Sequence, residues 1–157
     1  MADGPVSVNF QGGGKVQRYL EQLADKLGRG RSVRVGFLES ARYPASENQA
    51  GLHVATVAFW NEFGTSNAPA RPFFRYTIAM KSPKWGSDLA KIAKETGYDG
   101  EKTLALMGER IKWQIVHSIN IWQEPPNAPY TIRKKGFNKP LIETSLMLRS
   151  VDYQVLT

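Results

Sequence analysis

The strongest constraint in this chain is one helical stripe. Between Gly100 and Trp122, the residues Leu104, Gly108, Ile111, Ile115, Ile119 and Trp122 recur at steps of four, three, four, four and three. That spacing places them on a single face of an α-helix. About 22 helical residues span about 33 Å, the width of a small domain. Pro125 and Pro126 follow, and neither suits a continuing helix. An apolar face of this length must be covered, so the remaining segments are read for what could cover it.

Val6, Val8 and Phe10 alternate with Ser7 and Asn9, the period-two pattern of a half-buried strand. Gly12, Gly13 and Gly14 break it and read as a hinge. From Lys15 to Leu27, the apolar residues Val16, Leu20, Leu23 and Leu27 form a second helical stripe, closed by Gly28 and the turn Arg29, Gly30, Arg31. Ser32 to Leu38 reads as a strand with Val33, Val35 and Phe37 on one face. Pro44, Ser46, Asn48 and Gly51 mark 39–51 as a surface loop, and 1–14 and 39–51 are expected to be mobile. His53 to Trp60 is apolar at nearly every position, which suits a buried strand or a short buried helix. Its alanines and the following Asn61, Glu62, Phe63 and Gly64 favour a helix or turn near its end.

Pro69 and Pro72 bracket a rigid loop. A short helix is expected over Phe73–Met80, interrupted before Pro83, with another helical piece from Ser87 to Thr96 stopped by Gly97. Residues 127–140 have little period and much charge, and read as a basic loop. A helix-like turn over 142–149 leads into a closing strand, in which Val151, Tyr153 and Val155 alternate with Asp152 and Gln154. Together these segments predict one α+β domain over 1–157. It has a small, mainly antiparallel sheet packed with one long amphipathic helix and shorter helices.

Chemistry-bearing patterns are sparse. A composition of 41% hydrophobic and 22% charged residues over 157 positions is that of a globular domain. No apolar run reaches the roughly 18–20 residues of a membrane span. The opening Met1, Ala2, Asp3, Gly4, Pro5 has neither the basic start nor the apolar core of a signal peptide. The absence of cysteine removes disulfide scaffolds and thiolate metal sites, and fits a reducing compartment. Gly12, Gly13, Gly14 and Lys15 lack the glycine spacing and the following hydroxyl of a phosphate-binding loop, because Val16 comes next. His53 and His117 have no partners at ligand spacing, and His117 reads as a buried or boundary residue. Glu39, Glu47, Glu62 and Asp88 form no evident acid–base pair and read as surface carboxylates. Trp85, Trp113 and Trp122 occupy apolar helical positions and are expected in the core, with some tryptophan surface buried only on assembly. No catalytic, cofactor or metal-binding residue is assigned, and an enzyme is not expected.

The charge balance is more informative. Lys and Arg number 21 against 14 Asp and Glu, a net charge of +7. Such a surplus suits contact with nucleic acid or an acidic protein surface, or simply aids solubility. Arg133, Lys134, Lys135 and Lys139 crowd around Gly136 and Phe137, either as a solvated loop or as a contact for phosphates. Arg71 and Arg75 flank Phe73 and Phe74, a pairing that suits an interface anchor. At least one phenylalanine is expected inside, leaving the arginines for partners.

In their order, these pieces resemble a known family. Val33, Gly36, Leu38 and Glu39 come first, then Asn61, Glu62, Phe63, Gly64, Thr65, then Pro69, Ala70, Arg71, Pro72, Phe73, Phe74, Arg75. The tail adds Pro125 to Pro129 and the string Pro140, Leu141, Ile142, Thr144, Met147, Leu148, Ser150. Over about half the chain this is similar to the neck or tail-completion proteins of tailed bacteriophages, minor tail proteins that join head to tail. The resemblance implies a virion structural protein, present in the host cytoplasm during assembly. It implies a homo-oligomeric ring, six- or twelve-fold, that contacts other neck, connector, tail-terminator or tail-tube proteins. DNA would pass transiently through its lumen, with no catalysis, cofactor or membrane contact. On this view Arg71, Phe73, Phe74, Arg75, Arg133, Lys134, Lys135 and Lys139 are candidates for ring interfaces or the DNA channel. The alternative is a small basic nucleic-acid-binding protein.

Overall fold

The stripe helix forms where its spacing requires. In the computed structural model, which describes residues 14–28, 32–38, 40–45, 49–141 and 145–157, it runs from Gly100 to Ile121. In chain order the elements are α1 (Gly14–Gly28), β1 (Ser32–Phe37), α2 (Val54–Phe63), α3 (Phe73–Glu95), α4 (Gly100–Ile121), α5 (Pro129–Lys135), α6 (Leu146–Arg149) and β2 (Val151–Leu156). The strand expected over 6–10 lies outside the described residues. At the start of α4, the Asp99 carboxylate accepts the Lys102 backbone N–H at 3.0 Å, satisfying one of the orphan donors of a helix start. Along the stripe Gly108, Ile115 and Ile119 are buried, while Leu104, Ile111 and Trp122 are half-buried.

Two layers cover that stripe. β1 and β2 pair antiparallel from Ser32↔Leu156 to Phe37↔Val151, so Val33, Val35 and Phe37 stand opposite Val155, Tyr153 and Val151. A two-stranded ribbon is marginal in water, and α4 supplies its apolar partner. Further along α4, Ile115 and Ile119 enter a core with Val54, Val57 and Ala58 of α2, Phe73, Leu141, Met147 and Val151. The fold is thus α+β, with a small antiparallel sheet against a long helix.

α3 and α4 form an antiparallel hairpin. Ser118 Oγ donates to the Phe73 carbonyl at 3.2 Å, Trp85 Nε1 to Gln114 Oε1 at 2.9 Å, and Arg110 pairs with Asp88 at 3.0 Å. The hydroxyls of Thr96 and Thr103 meet at 2.7 Å near the turn. These contacts explain a correction. The two helical pieces expected on either side of Pro83 are one continuous helix of 23 residues with Pro83 inside it. Proline removes the bond to the carbonyl four residues back, yet α3 is clamped to α4 on both sides of the interruption.

Other local expectations also change. The segment expected as a surface loop over 39–51 carries Tyr43 into the core. Tyr43 N–H donates to the Leu52 carbonyl at 3.0 Å and Val54 N–H to that of Ala41 at 2.9 Å. The basic loop over 127–140 contains α5, because Pro129 presets the first helical residue and Gly136, at φ +80°, takes the left-handed cap. His117 is exposed, and Trp113 is 58% exposed rather than buried. Trp85 and Trp122 are only half-buried. α1 matches its expected span, yet none of its residues is buried.

Two glycines test this packing. A Cβ on Gly108 would lie 2.7 Å from the Tyr153 ring and 2.8 Å from a Val33 methyl, whereas one on Gly86 would meet nothing within 4 Å. Gly108→Ala should therefore lower unfolding free energy by about 1–3 kcal/mol through overpacking. Gly86→Ala, mid-helix and unobstructed, should raise it by about 0.5–1 kcal/mol. Urea denaturation followed by circular dichroism measures both, and equal effects would contradict the packing described.

Candidate assembly surface

The two motif segments between residues 61 and 75 fold into one interlock. α3 begins at Phe73 after Arg71 and Pro72, and its N-cap Pro72 has no side-chain acceptor. The acceptor comes from the end of α2. Glu62, only 5% exposed, takes the N–H of Phe74 at 2.9 Å on one carboxylate oxygen and that of Arg75 at 3.1 Å on the other. A carboxylate there also opposes the positive end of the helix dipole. Arg75 folds back, giving its Nε to the Glu62 carboxylate at 2.8 Å and an Nη2 proton to the Glu62 carbonyl at 3.2 Å. Its guanidinium carbon lies 4.5 Å from the centre of the Phe63 ring, a cation–π distance.

The chain between these segments turns on Gly64, whose φ of +78° and ψ of 173° belong to a region open essentially to glycine. Any Cβ there would stand 2.8 Å from the Ala70 backbone nitrogen. Thr65 N–H reaches the Ala68 carbonyl at 2.8 Å, and Arg71 N–H reaches that of Asn61 at 2.6 Å. The Arg71 side chain then crosses to the turn after α4, donating to the carbonyls of Pro125 at 2.9 Å and Pro126 at 3.2 Å. Burial lowers its pKa from the ordinary arginine value, but a guanidinium stays charged.

The candidate contact residues therefore divide. Phe73 is in the core, edge-on to Phe37 at 6.2 Å and to Phe74 at 6.3 Å. Arg71 is 7% exposed and donates to the prolyl carbonyls, so it does not stand on the open surface as the sequence led us to expect. Phe74 is half-buried. Arg75 keeps just over half of its side chain exposed while holding Glu62. Arg133, Lys134 and Lys139 are exposed, and Lys135 is half-buried with its Nζ 5.7 Å from the Phe137 ring. Three of these four cations occupy the last turn of α5, where the helix dipole favours positive charge. Arg71 and Arg75 lie on either side of Phe73 at the α2–α3 joint, whereas the four-cation group is on and after α5.

Sequence reasoning missed Glu62, read as one surface carboxylate among several. The signal was indirect: a helix starting after Arg71–Pro72 carries no local capping side chain, so a remote acceptor is required. Beside the interlock lies an apolar surface. Phe59, Trp60 and Phe63 point outward from α2, with Phe59 at 59% exposure and its ring centre 4.6 Å from that of Phe63. A shallow cavity of about 220 Å³ opens between Phe37, Phe59, Phe63 and Phe74. A second apolar surface is the stripe of α1, where Val16, Tyr19, Leu20 and Leu27 are all exposed. Among the described residues there is no group of three His, Asp or Glu able to hold a metal ion.

The interlock predicts an ordering of variants. Glu62→Gln keeps one acceptor but loses the charge and the second oxygen, and should cost about 2 kcal/mol. Arg75→Gln leaves the two backbone donors of α3 satisfied and should cost about 1 kcal/mol or less, because its side chain is half in solvent. Gly64→Ala should cost about 2 kcal/mol or more from backbone strain and the Ala70 contact. Thermal unfolding of the three variants checks the order, and an Arg75 loss exceeding that of Glu62 would refute it.

No known protein family, curated protein or solved structure matches the chain.

Proposed function

We propose that the chain is a virion structural protein of a tailed phage, a ring-forming neck or tail-completion subunit joining head to tail around the DNA channel. The reading draws on the ordered motifs at 61–65, 69–75 and 140–150. The single observation that carries it is apolar surface left open at both ends of α4. At one end α1 approaches the start of α4 through Leu27, leaving too little room for a side chain at Gly100, and still exposes Val16, Tyr19 and Leu20. At the other end α2 turns Val54 and Val57 into the core with Ile115 and Ile119, and turns Phe59, Trp60 and Phe63 outward. Contiguous exposed apolar surface marks interaction sites on soluble chains. Two unlike faces on one subunit suit a heterologous contact, which closes into a ring by rotation.

In this assembly the α1 stripe of each copy packs on the α2 face of the next, in a six- or twelve-fold ring. Connector, tail-terminator or tail-tube proteins lie above and below. Arg133, Lys134, Lys135 and Lys139 fall at a subunit boundary or the lumen edge, in transient contact with passing DNA. The subunit works by geometry, without catalysis or a cofactor. Among the described residues, no helix is long and apolar enough to cross a membrane.

A mixing experiment tests the arrangement. Leu20→Glu removes one face and Phe59→Glu the other, so each variant alone should sediment as a monomer while wild type forms rings. Mixed together, the two variants retain one intact pair of faces and should give dimers but no rings. Variants that assemble like wild type would reject this contact. Cryo-electron microscopy of the producing phage then places the ring at the neck or removes it from the virion. A monomeric chain that binds duplex DNA, with affinity falling steeply as salt rises, would favour the nucleic-acid-binding alternative instead.

A further inference from the structure

A separate site lies where the 67–71 loop, the turn after α4 and α5 come together. A cavity of about 310 Å³ opens there, and among the described residues that line it Arg71 and Lys135 are basic and none is acidic. The two hydrogen bonds made by the Arg71 side chain go to neutral carbonyls of Pro125 and Pro126. A guanidinium carries five N–H donors, so its capacity is not filled, and its charge has no counter-ion among the described residues. Asn127, next in sequence to those prolines, is 8% exposed and lines the same cavity. Its backbone N–H donates to Asn138 Oδ1 at 3.2 Å, but its side-chain Nδ2 has no hydrogen-bond partner among the described residues. A buried amide without an acceptor is costly and uncommon in folded proteins. Two buried donor groups short of acceptors thus share one cavity to which no described residue contributes a negative charge.

We propose that this cavity is a carboxylate-binding site that takes the acidic side chain of a partner protein segment. Arg71 supplies the cation and Asn127 the neutral donor, with Thr131 also lining the cavity. Val57, Leu141 and Met147 line the apolar part, against which the methylene stem of a glutamate packs. The planar guanidinium fork matches the two oxygens of a carboxylate. A nucleic-acid phosphate fits poorly, because it carries a sugar on each side and Arg71 lies in the cavity wall rather than on the surface. The site stands apart from the ring reading, since a single chain contains all of it.

The test is a titration of the full-length chain followed by ¹H–¹⁵N NMR at constant ionic strength. The probe is an acetylated, amidated Gly-Glu-Gly peptide, and its Gly-Gln-Gly counterpart is the control. The glutamyl peptide should shift the Arg71 Nε–H and Asn127 Nδ2 resonances saturably, and the glutaminyl peptide should bind about tenfold more weakly or less. Asn127→Asp, which places a carboxylate in the cavity itself, should abolish the response and raise the melting temperature. Asn127→Ala should weaken binding while keeping the backbone bond to Asn138, which avoids relying on Arg71 variants that lose the prolyl contacts. Equal binding of the two peptides, or no saturable shift, would overturn the proposal. Tighter binding of inorganic phosphate or displacement by a short DNA duplex would overturn the carboxylate assignment. Asp3, Glu39, Glu47 and Glu143 lie outside the described residues, so a variant with all four changed to the matching amides is titrated as well. Binding seen only in that variant would mean that the chain's own acid occupies the site, and would also defeat the proposal.

Discussion

The carboxylate of Glu62 is the acceptor on which the arrangement of helices depends. α3 starts directly after a proline and has no capping side chain of its own, so its first free N–H groups need a partner from elsewhere. Glu62 supplies it from the last turn of α2, and Arg75 closes the contact from the α3 side. That bond sets where α3 begins relative to α2. With Phe73 held in the core and its carbonyl accepting from Ser118, it also sets the register of α3 on α4. Arg71 extends the same joint to the turn after α4. The α2–α3 connection is thereby tied to the far end of α4 and the turn after it at one corner of the molecule.

From that corner the rest follows by packing. α4 is long enough to serve two partners, the β1–β2 ribbon over its first half and the α2–α3 core over its second. The close approach of the ribbon depends on Gly108, where the Tyr153 ring and Val33 occupy the space of a side chain. Helices and sheet are each unstable alone, and α4 is the common apolar surface against which both are stabilised. What the domain does not cover is equally specific: the stripe of α1 and the outer face of α2 stay in solvent. Nothing in the local sequence of either helix requires that exposure, which is why both faces enter the proposed ring contact.

Much of the fold could be read along the chain, and the failures have identifiable causes. The spans of α1, β1, α4 and β2 followed from periodicity, since one apolar face repeats at 3.6 or 2 residues wherever an element is half-buried. The break expected at Pro83 did not occur, because clamping by Trp85–Gln114 and Asp88–Arg110 outweighs one missing backbone bond. α5 was hidden by its charge, although Pro129 and Gly136 are ordinary start and stop signals. The aromatic–arginine segment drew attention for the right residues. The expected inward phenylalanine is Phe73, but Arg71, expected to be left for partners, is an interior part of the same joint.

The sequence by itself determined which residues form the amphipathic elements and where most of them end, because those choices depend on local spacing, glycine and proline. Only the tertiary structure decided the burial of Glu62 and Arg71, the continuity of α3, and the cavity that brings Arg71 and Asn127 together. Each of these depends on groups that are far apart in the chain: residue 62 with 74 and 75, 71 with 125 and 126, 85 with 114. A polar side chain carries no periodic signal, and whether it is solvated or buried is settled by the partners the fold delivers to it.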